Sequence, residues 1–166
     1  MIEIKLGDIT QEDTQVIVNA ANAGLKGGGG VDGAIHRAAG PTVMEECRKI
    51  GSCATGQAVM TGAGKLKANK IIHTVGPVWA GGKKEEPRLL KNCYENSLLL
   101  AQKHGFDSIA FPAISTGAYG YPALSAARIA LDAAKKFEKD FSEIRFVCFS
   151  QEDFAVYQKI WKGMGA

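Results

Sequence analysis

Apolar and polar residues alternate along Ile2 to Leu6, the pattern of a strand with one buried face. Val16 to Val18 is instead a short unbroken apolar run, which fits a strand covered on both sides. Together they predict a strand pair that opens the fold. Gln57 to Thr61, Lys70 to Val75, Ser108 to Phe111 and Ile144 to Phe149 read as further strands. Arg88 to His104, Pro122 to Glu138 and Glu152 to Lys162 carry the period of helices, and Asp32 to Ala39 and Val43 to Ile50 read as two shorter ones. Gly40-Pro41 separates that short pair, with Pro41 placed to start its second member. Strands alternating with helices predict an α/β sheet covered on both faces. No repeat, low-complexity tract or long linker divides residues 1 to 166, so one domain is expected, with Ala80 to Pro87 as its most exposed, flexible loop.

Composition narrows the class of protein. The chain has 166 residues, 46% of them hydrophobic and 22% charged, enough apolar material for one sizeable core. No run approaches the ~20 apolar residues of a membrane span, and Met1 to Lys5 lacks the basic and apolar regions of a signal peptide. These features predict a soluble cytoplasmic protein without membrane association. A net charge of +3, with lysines scattered rather than interleaved with aromatics, gives little reason to expect direct nucleic-acid binding. Cys47, Cys53, Cys93 and Cys148 contain no CxxC pair, and His36, His73 and His104 are widely spaced. Neither a metal site nor a disulfide framework is expected, and Cys148, in an apolar strand, reads as core.

Two glycine-rich stretches change the picture: Gly27-Gly28-Gly29-Gly30-Val31-Asp32-Gly33 and Ser115-Thr116-Gly117-Ala118-Tyr119-Gly120-Tyr121-Pro122. Each stands between a strand-like and a helix-like run. Where a strand turns into a helix, amide protons point outward and the helix dipole adds partial positive charge, so an anion settles there. Glycine lets the main chain approach closely and bend those amides into a cradle. A plain flexible loop would have the same composition. In open α/β sheets ligands bind beyond the carboxyl ends of strands, which would let one cleft hold both loops around a ligand with more than one phosphate.

Polar residues near the first loop are candidates for chemistry. Asn19 and Asn22 follow the second strand, and their amides can donate and accept together, as vicinal ribose hydroxyls require; Asn is also simply common in turns. Asp32 and His36 stand four apart, on one face of a helix that begins near Asp32. An N-cap for Asp32 and a packed position for His36 is the alternative account. Repulsion between a carboxylate and bound phosphates places Asp32 at sugar hydroxyls or a water, in positioning or proton abstraction. Gly28-x-Gly30-x-x-Gly33 formally matches a dinucleotide fingerprint, but Ala20 to Gly27 intervenes between strand and loop, against an oxidoreductase. Gly62 to Leu66 lacks the residues of a Walker loop. Phe149 or Phe154 could stack on a base, with one of them expected in the core.

Five ordered blocks run through nearly the whole chain: Gly7-Asp8-Ile9-Thr10, Val18-Asn19-Ala20-Ala21-Asn22, Gly27 to Gly40, Ile72-His73-Thr74-Val75-Gly76-Pro77 and Phe111 to Pro122. With them the chain closely resembles a macrodomain of the MacroD type. The resemblance implies a three-layer α/β/α fold with a mixed, mostly parallel sheet and a deep cleft for ADP-ribose. It implies that Asp8 accepts a hydrogen bond from adenine with Ile9 beside it, and that Phe149 stacks on the ring. Gly28, Gly29, Gly30 and Val31, with Ser115, Thr116, Gly117, Ala118 and Tyr119, would hold the diphosphate and distal ribose. Asn19, Asn22, Asp32 and His36 match positions used around the distal ribose.

The implied activity is hydrolysis of ADP-ribosyl esters: removal of ADP-ribose from acidic side chains of mono-ADP-ribosylated proteins, and deacetylation of O-acetyl-ADP-ribose. Asn22 and Asp32 would orient ribose and water, with Asp32 or a ligand phosphate oxygen as proton acceptor and no cofactor, metal or covalent nucleophile. A non-catalytic ADP-ribose reader and an ADP-ribose-1″-phosphatase are the alternatives, and a monomer is expected. Thr61 to Ala68 matches its family segment only loosely, and Ala118 is small where a bulkier aliphatic residue often sits.

Overall fold

The computed structural model describes residues 1 to 165. Six strands form one sheet: β1 (Ile2–Leu6), β2 (Val16–Ala20), β3 (Ala58–Gly62), β4 (Lys70–Thr74), β5 (Ser108–Phe111) and β6 (Glu143–Cys148). Their spatial order is β1-β6-β5-β2-β4-β3, parallel throughout except for β3, which runs antiparallel to β4 at one edge. The expected mixed, mostly parallel sheet is therefore present. The expected opening strand pair is not: β6 and β5 lie between β1 and β2. β1 alternates because it is the other edge, with Ile2 buried and Glu3 exposed, whereas Val16 to Val18 lies central and wholly buried.

Five helices cover the faces: α1 (Gly30–Ala39), α2 (Pro41–Ile50), α3 (Glu86–Lys103), α4 (Ala123–Phe137) and α5 (Gln151–Gly163). Strand alternation sorts the core into two layers. Ile17, Ile71, Ala110 and Val147 pack with Ile35, Ala39, Val43 and Cys47 of α1 and α2. Val16, Val18, Ile72, Ile109, Phe111, Ile144 and Phe146 face Leu90, Tyr94, Leu98, Leu131 and Tyr157 of the other three helices. On α4 the buried face is largely alanine, Ala126, Ala127, Ala130, Ala133 and Ala134, which lets it pack closely between α3 and α5.

The helix ends follow the sequence signals. Pro41 sits in the first turn of α2, and the Ser150 hydroxyl caps α5 by accepting from Asp153 N at 3.1 Å. The turn before α3, expected as a flexible loop, is gathered by one side chain. Glu86 accepts from Ala80 N at 2.8 Å, Gly82 N at 2.9 Å and Lys84 N at 2.6 Å. Burial alone would raise its pKa, but these backbone donors outweigh it and hold the carboxyl down to about 2. Among the described residues no helix is long and apolar enough to cross a membrane.

The sheet opens where the chain changes sides. β2 leads into α1 on one face, while β5 leads into α4 on the other. The ladder between β2 and β5 consists only of Val16 against Ile109 and Ile17 against Ala110, so their carboxyl ends separate. That split at a switch point is where an open α/β sheet accepts a ligand.

Candidate functional site

A cleft of about 390 Å³ lies between the separated ends of β2 and β5. Asn22, Gly28, Gly29, Gly30, Val31 and Asp32 form one side; Ser115, Gly117, Ala118 and Tyr119 form the other. Ala20, Ala21, Gly76, Ala113 and Ile114 also line it; they fall within the ordered sequence blocks but were not among the candidate site residues. The two glycine stretches thus face each other across one cavity. A slightly larger hollow of about 470 Å³ lies along edge strand β3, remote from both loops and lined by residues such as Ile50, Met60 and Leu100. It contains none of the sequence-predicted residues.

The first loop is held from beneath. Asn22 Nδ2 donates to Gly27 O at 2.8 Å and Asn22 Oδ1 accepts from Lys26 N at 3.0 Å, so its amide staples the turn between β2 and the glycines. Gly29 is the N-cap of α1, which starts at Gly30, two residues earlier than periodicity suggests. Asp32 therefore sits in the first helical turn rather than at the cap, where the free N–H groups and the helix dipole favour its charge. Gly33 must be glycine, because a Cβ there would strike the carbonyl oxygen of Gly28. This contact presses the loop onto the helix.

The second loop closes on itself through Tyr121 N to Ser115 O at 2.9 Å and Gly120 N to Gly117 O at 3.0 Å. Trp79 N, donating to Tyr119 O at 2.8 Å, straps it to the segment after β4. Ser115 holds a left-handed backbone at φ 67°, and its buried Oγ has no partner within the protein. Strain and an unpaired hydroxyl in a cleft lining both mark a place shaped for a ligand. Thr116 belongs to this loop but does not line the cavity.

Beneath the cleft, Asp32 is 7% exposed and joins a buried polar cluster. Asn19 Nδ2 donates to Asp32 Oδ1 at 2.7 Å, and His36 Nε2 lies 3.4 Å from the same oxygen. The other oxygen, Oδ2, faces the loop, 3.5 Å from where a Gly28 Cβ would stand. Asn19 and His36, placed with Asp32 by sequence, are thus brought to it, but neither lines the cavity. Behind them stands His73, fully buried, with Asn19 Nδ2 at 3.1 Å from its Nδ1 and Thr61 Oγ1 at 2.9 Å from its Nε2. Burial, with a lesser contribution from His36, pushes His73 down to about 4, so its ring is neutral.

Although distant in sequence, His36, Cys47 and His73 gather ligand-type atoms within 4.8 Å of one another. Both nitrogens of His73 already have hydrogen-bond partners, and burial, then the charges of Asp32 and Glu46, raises the Cys47 thiol above its ordinary value. With both His73 nitrogens engaged, the cluster is not a ready metal cage, although His36 Nδ1 is buried without a partner within the protein. Cys93 and Cys148 are pushed up by burial to about 11 and about 12, which makes them inert core thiols.

The predicted adenine residues stand farther along the same sheet edge. Gly7 N donates to Cys148 O at 2.9 Å, so the ends of β1 and β6 bring Asp8 and Phe149 together. Asp8 Oδ1 accepts from Thr10 N at 2.9 Å and Thr10 Oγ1 at 2.7 Å, capping a short 3-10 turn, while Ile9 is core. Phe149 is 82% exposed, whereas Phe154 packs against the core. The free ring is therefore Phe149.

Residues 18–130 match the Macro domain family model. A protein of Cronobacter turicensis named O-acetyl-ADP-ribose deacetylase is 51% identical, covering 96% of this chain and 94% of its own. A macro domain-containing protein of Listeria monocytogenes is also 51% identical, with 96% of each chain covered. The Oceanobacillus iheyensis macrodomain with ADP superposes at a TM-score of 0.92 and 44% identity, over 96% of this chain and 88% of that one. The Trypanosoma brucei macrodomain in complex with ADP-ribose gives 0.90 and 42%, over 95% of this chain and 68% of that one. The chain belongs to the Macro domain family.

Proposed function

We propose that this protein binds ADP-ribose and hydrolyses its esters, deacetylating O-acetyl-ADP-ribose and removing ADP-ribose from acidic side chains of mono-ADP-ribosylated proteins. The observation that carries the reading is the place of Asp32, a carboxylate in the floor of a cleft walled by two glycine loops. Its relatives' names and ligands, an O-acetyl-ADP-ribose deacetylase and macrodomains holding ADP or ADP-ribose, support the same substrate class.

In this reading the diphosphate lies on the N–H groups at the start of α1 and on the Ser115 to Tyr119 turn. The distal ribose then sits over Asn22 and Asp32, and Asp8 and Phe149 receive the adenine. Asp32 Oδ1 is engaged by Asn19, so Oδ2 holds the attacking water. Water adds to the ester carbonyl carbon as Oδ2 takes its proton. The bond from that carbon to the ribose oxygen then breaks, and the proton passes to the ribose oxygen, leaving ribose hydroxyl and free carboxylic acid. Ser115 Oγ, unpaired within the protein, is a donor for the ligand. The compartment proposed is the cytoplasm, in keeping with four buried free cysteines.

The test uses a target protein carrying aspartate- or glutamate-linked ADP-ribose, incubated with wild type and Asp32→Ala. Release of ADP-ribose by wild type alone supports the hydrolase. Tight ADP-ribose binding without release by either protein would leave a non-catalytic reader.

A further inference from the structure

We infer that His73 is a positioning residue for Asp32, acting through the side chain of Asn19 and itself set by Thr61. This rests on the reading of Asp32 as the group that holds the attacking water. Neither His73 nor Thr61 lines the cleft. Their effect is relayed.

The sheet register makes the arrangement. Asn19 of β2 is directly opposite His73 of β4, and both point to the α1 side, where Ile17 and Ile71 also point. Thr61, on the antiparallel strand β3, reaches the far side of the imidazole. Asp32 comes from above, on the first turn of α1. Four side chains from four elements therefore meet in a space from which water is excluded, with Asn19 and His73 both 0% exposed.

Donor and acceptor roles follow from one charge. The atom of Asn19 that lies 2.7 Å from the Asp32 carboxylate must be the amide nitrogen, because the amide oxygen would be repelled there. That nitrogen carries two protons, and the second points at His73 Nδ1, 3.1 Å away. Nδ1 must then accept, which puts the single ring proton on Nε2, facing Thr61 Oγ1 at 2.9 Å. Thr61 in turn donates its hydroxyl proton to Gly62 O at 2.9 Å, so its oxygen is left to accept from the ring. Every bond in the chain has one consistent sense.

The opposite tautomer would break it. A proton on Nδ1 would confront the Asn19 amide, turn its oxygen toward the ring and withdraw the donor from Asp32. Thr61 thus selects the tautomer, the tautomer selects the amide orientation, and the amide pins Oδ1 so that Oδ2 stays toward the loop. An apolar side chain at position 73 would suit its neighbours Ile17 and Ile71 as packing but would leave the Asn19 amide free to turn. The imidazole therefore has a use that packing does not supply.

The experiment compares wild type, His73→Leu and His73→Asn. Asparagine restores an acceptor near the Nδ1 position; leucine does not. For O-acetyl-ADP-ribose, His73→Leu should lower kcat by roughly 10- to 100-fold through misplacement of Asp32. KM and the Kd for ADP-ribose should stay within about threefold, since the loops are untouched. His73→Asn should recover most of kcat. Ring 15N shifts of wild type should report the Nε2–H tautomer, and the two Asn19 amide protons, well separated in wild type, should converge in His73→Leu. Unchanged kcat in His73→Leu, an Nδ1–H tautomer, or equal losses in His73→Leu and His73→Asn would overturn the inference. If wild type itself proves inert on the ester, the hydrolase reading fails separately. The Asn19 proton shifts then decide the relay: convergence in His73→Leu supports it, and no change overturns it.

Discussion

A Cβ placed on Gly76 would collide with the Oγ of Ser115 and stand 2.7 Å from a methyl of Ile114, so the backbone just after β4 lies directly against side chains at the start of the second glycine loop. Gly76→Ala should cost roughly 1–3 kcal/mol of stability by overpacking a tight contact and, by pushing that loop into the cleft, weaken ADP-ribose binding. Isothermal titration of the variant checks this. Wild-type affinity would mean that the loop is free to move aside.

The first loop admits a cleaner perturbation. Gly29 has φ −94°, which any residue adopts, and a Cβ there meets nothing within 4 Å. Gly29→Glu should therefore leave Tm unchanged yet abolish ADP-ribose binding, because its carboxylate would stand against the diphosphate. The same change at Gly30, with φ +58°, would add backbone strain and confuse the two effects. Retained affinity in Gly29→Glu would remove the first loop from the phosphate site.

The elements on either side of this cleft were legible because they are local. Alternation and short apolar runs located all six strands, and proline and glycine punctuation located the breaks between α1, α2 and their neighbours. Strand order was not legible: Ile2 to Leu6 looks the same whether it pairs with β2 or, as it does, with β6. The loops, Asn22 and Asp32 could be read as a site because each carries its own local signal. The meeting of Asn19 with His73 depends on the register of two strands separated by some fifty residues, and the only sequence trace was the block Ile72 to Pro77. Glu86 was missed for a different reason. Its partners are backbone N–H groups, which no side-chain motif reveals.

Acid should weaken the fold in two separate windows. His73 is held at about 4 in the folded protein, mainly by burial, against 6.5 in the unfolded chain, so the unfolded state binds the extra proton between these values. Its contribution is present above 6.5 and is lost as pH falls to 4, about 3 kcal/mol in all. Urea unfolding of wild type at pH 7 and pH 4.5 should show this decline, and His73→Asn should flatten it. Equal slopes in both proteins would contradict a buried neutral imidazole.

Glu86 acts at lower pH. Its folded value of about 2 lies below the ordinary 4.5, so its stabilising effect is complete above 4.5 and disappears as pH falls through 2. Glu86→Gln should lower Tm at pH 7, and the gap from wild type should narrow as the solution is taken toward pH 2. A gap independent of pH would show that the carboxylate charge contributes nothing to holding the Ala80 to Lys84 turn.

If the cleft that holds ADP-ribose also cuts its esters, Asp32 is the residue on which hydrolysis depends, because it holds the water. Steady-state hydrolysis of O-acetyl-ADP-ribose by wild type and Asp32→Ala, paired with ADP-ribose titration of both, measures it most directly. Removing the proton acceptor should cost roughly 10²- to 10⁴-fold in kcat while the Kd for ADP-ribose changes little. Full activity in Asp32→Ala, or tight binding by wild type with no acetate released, would contradict it.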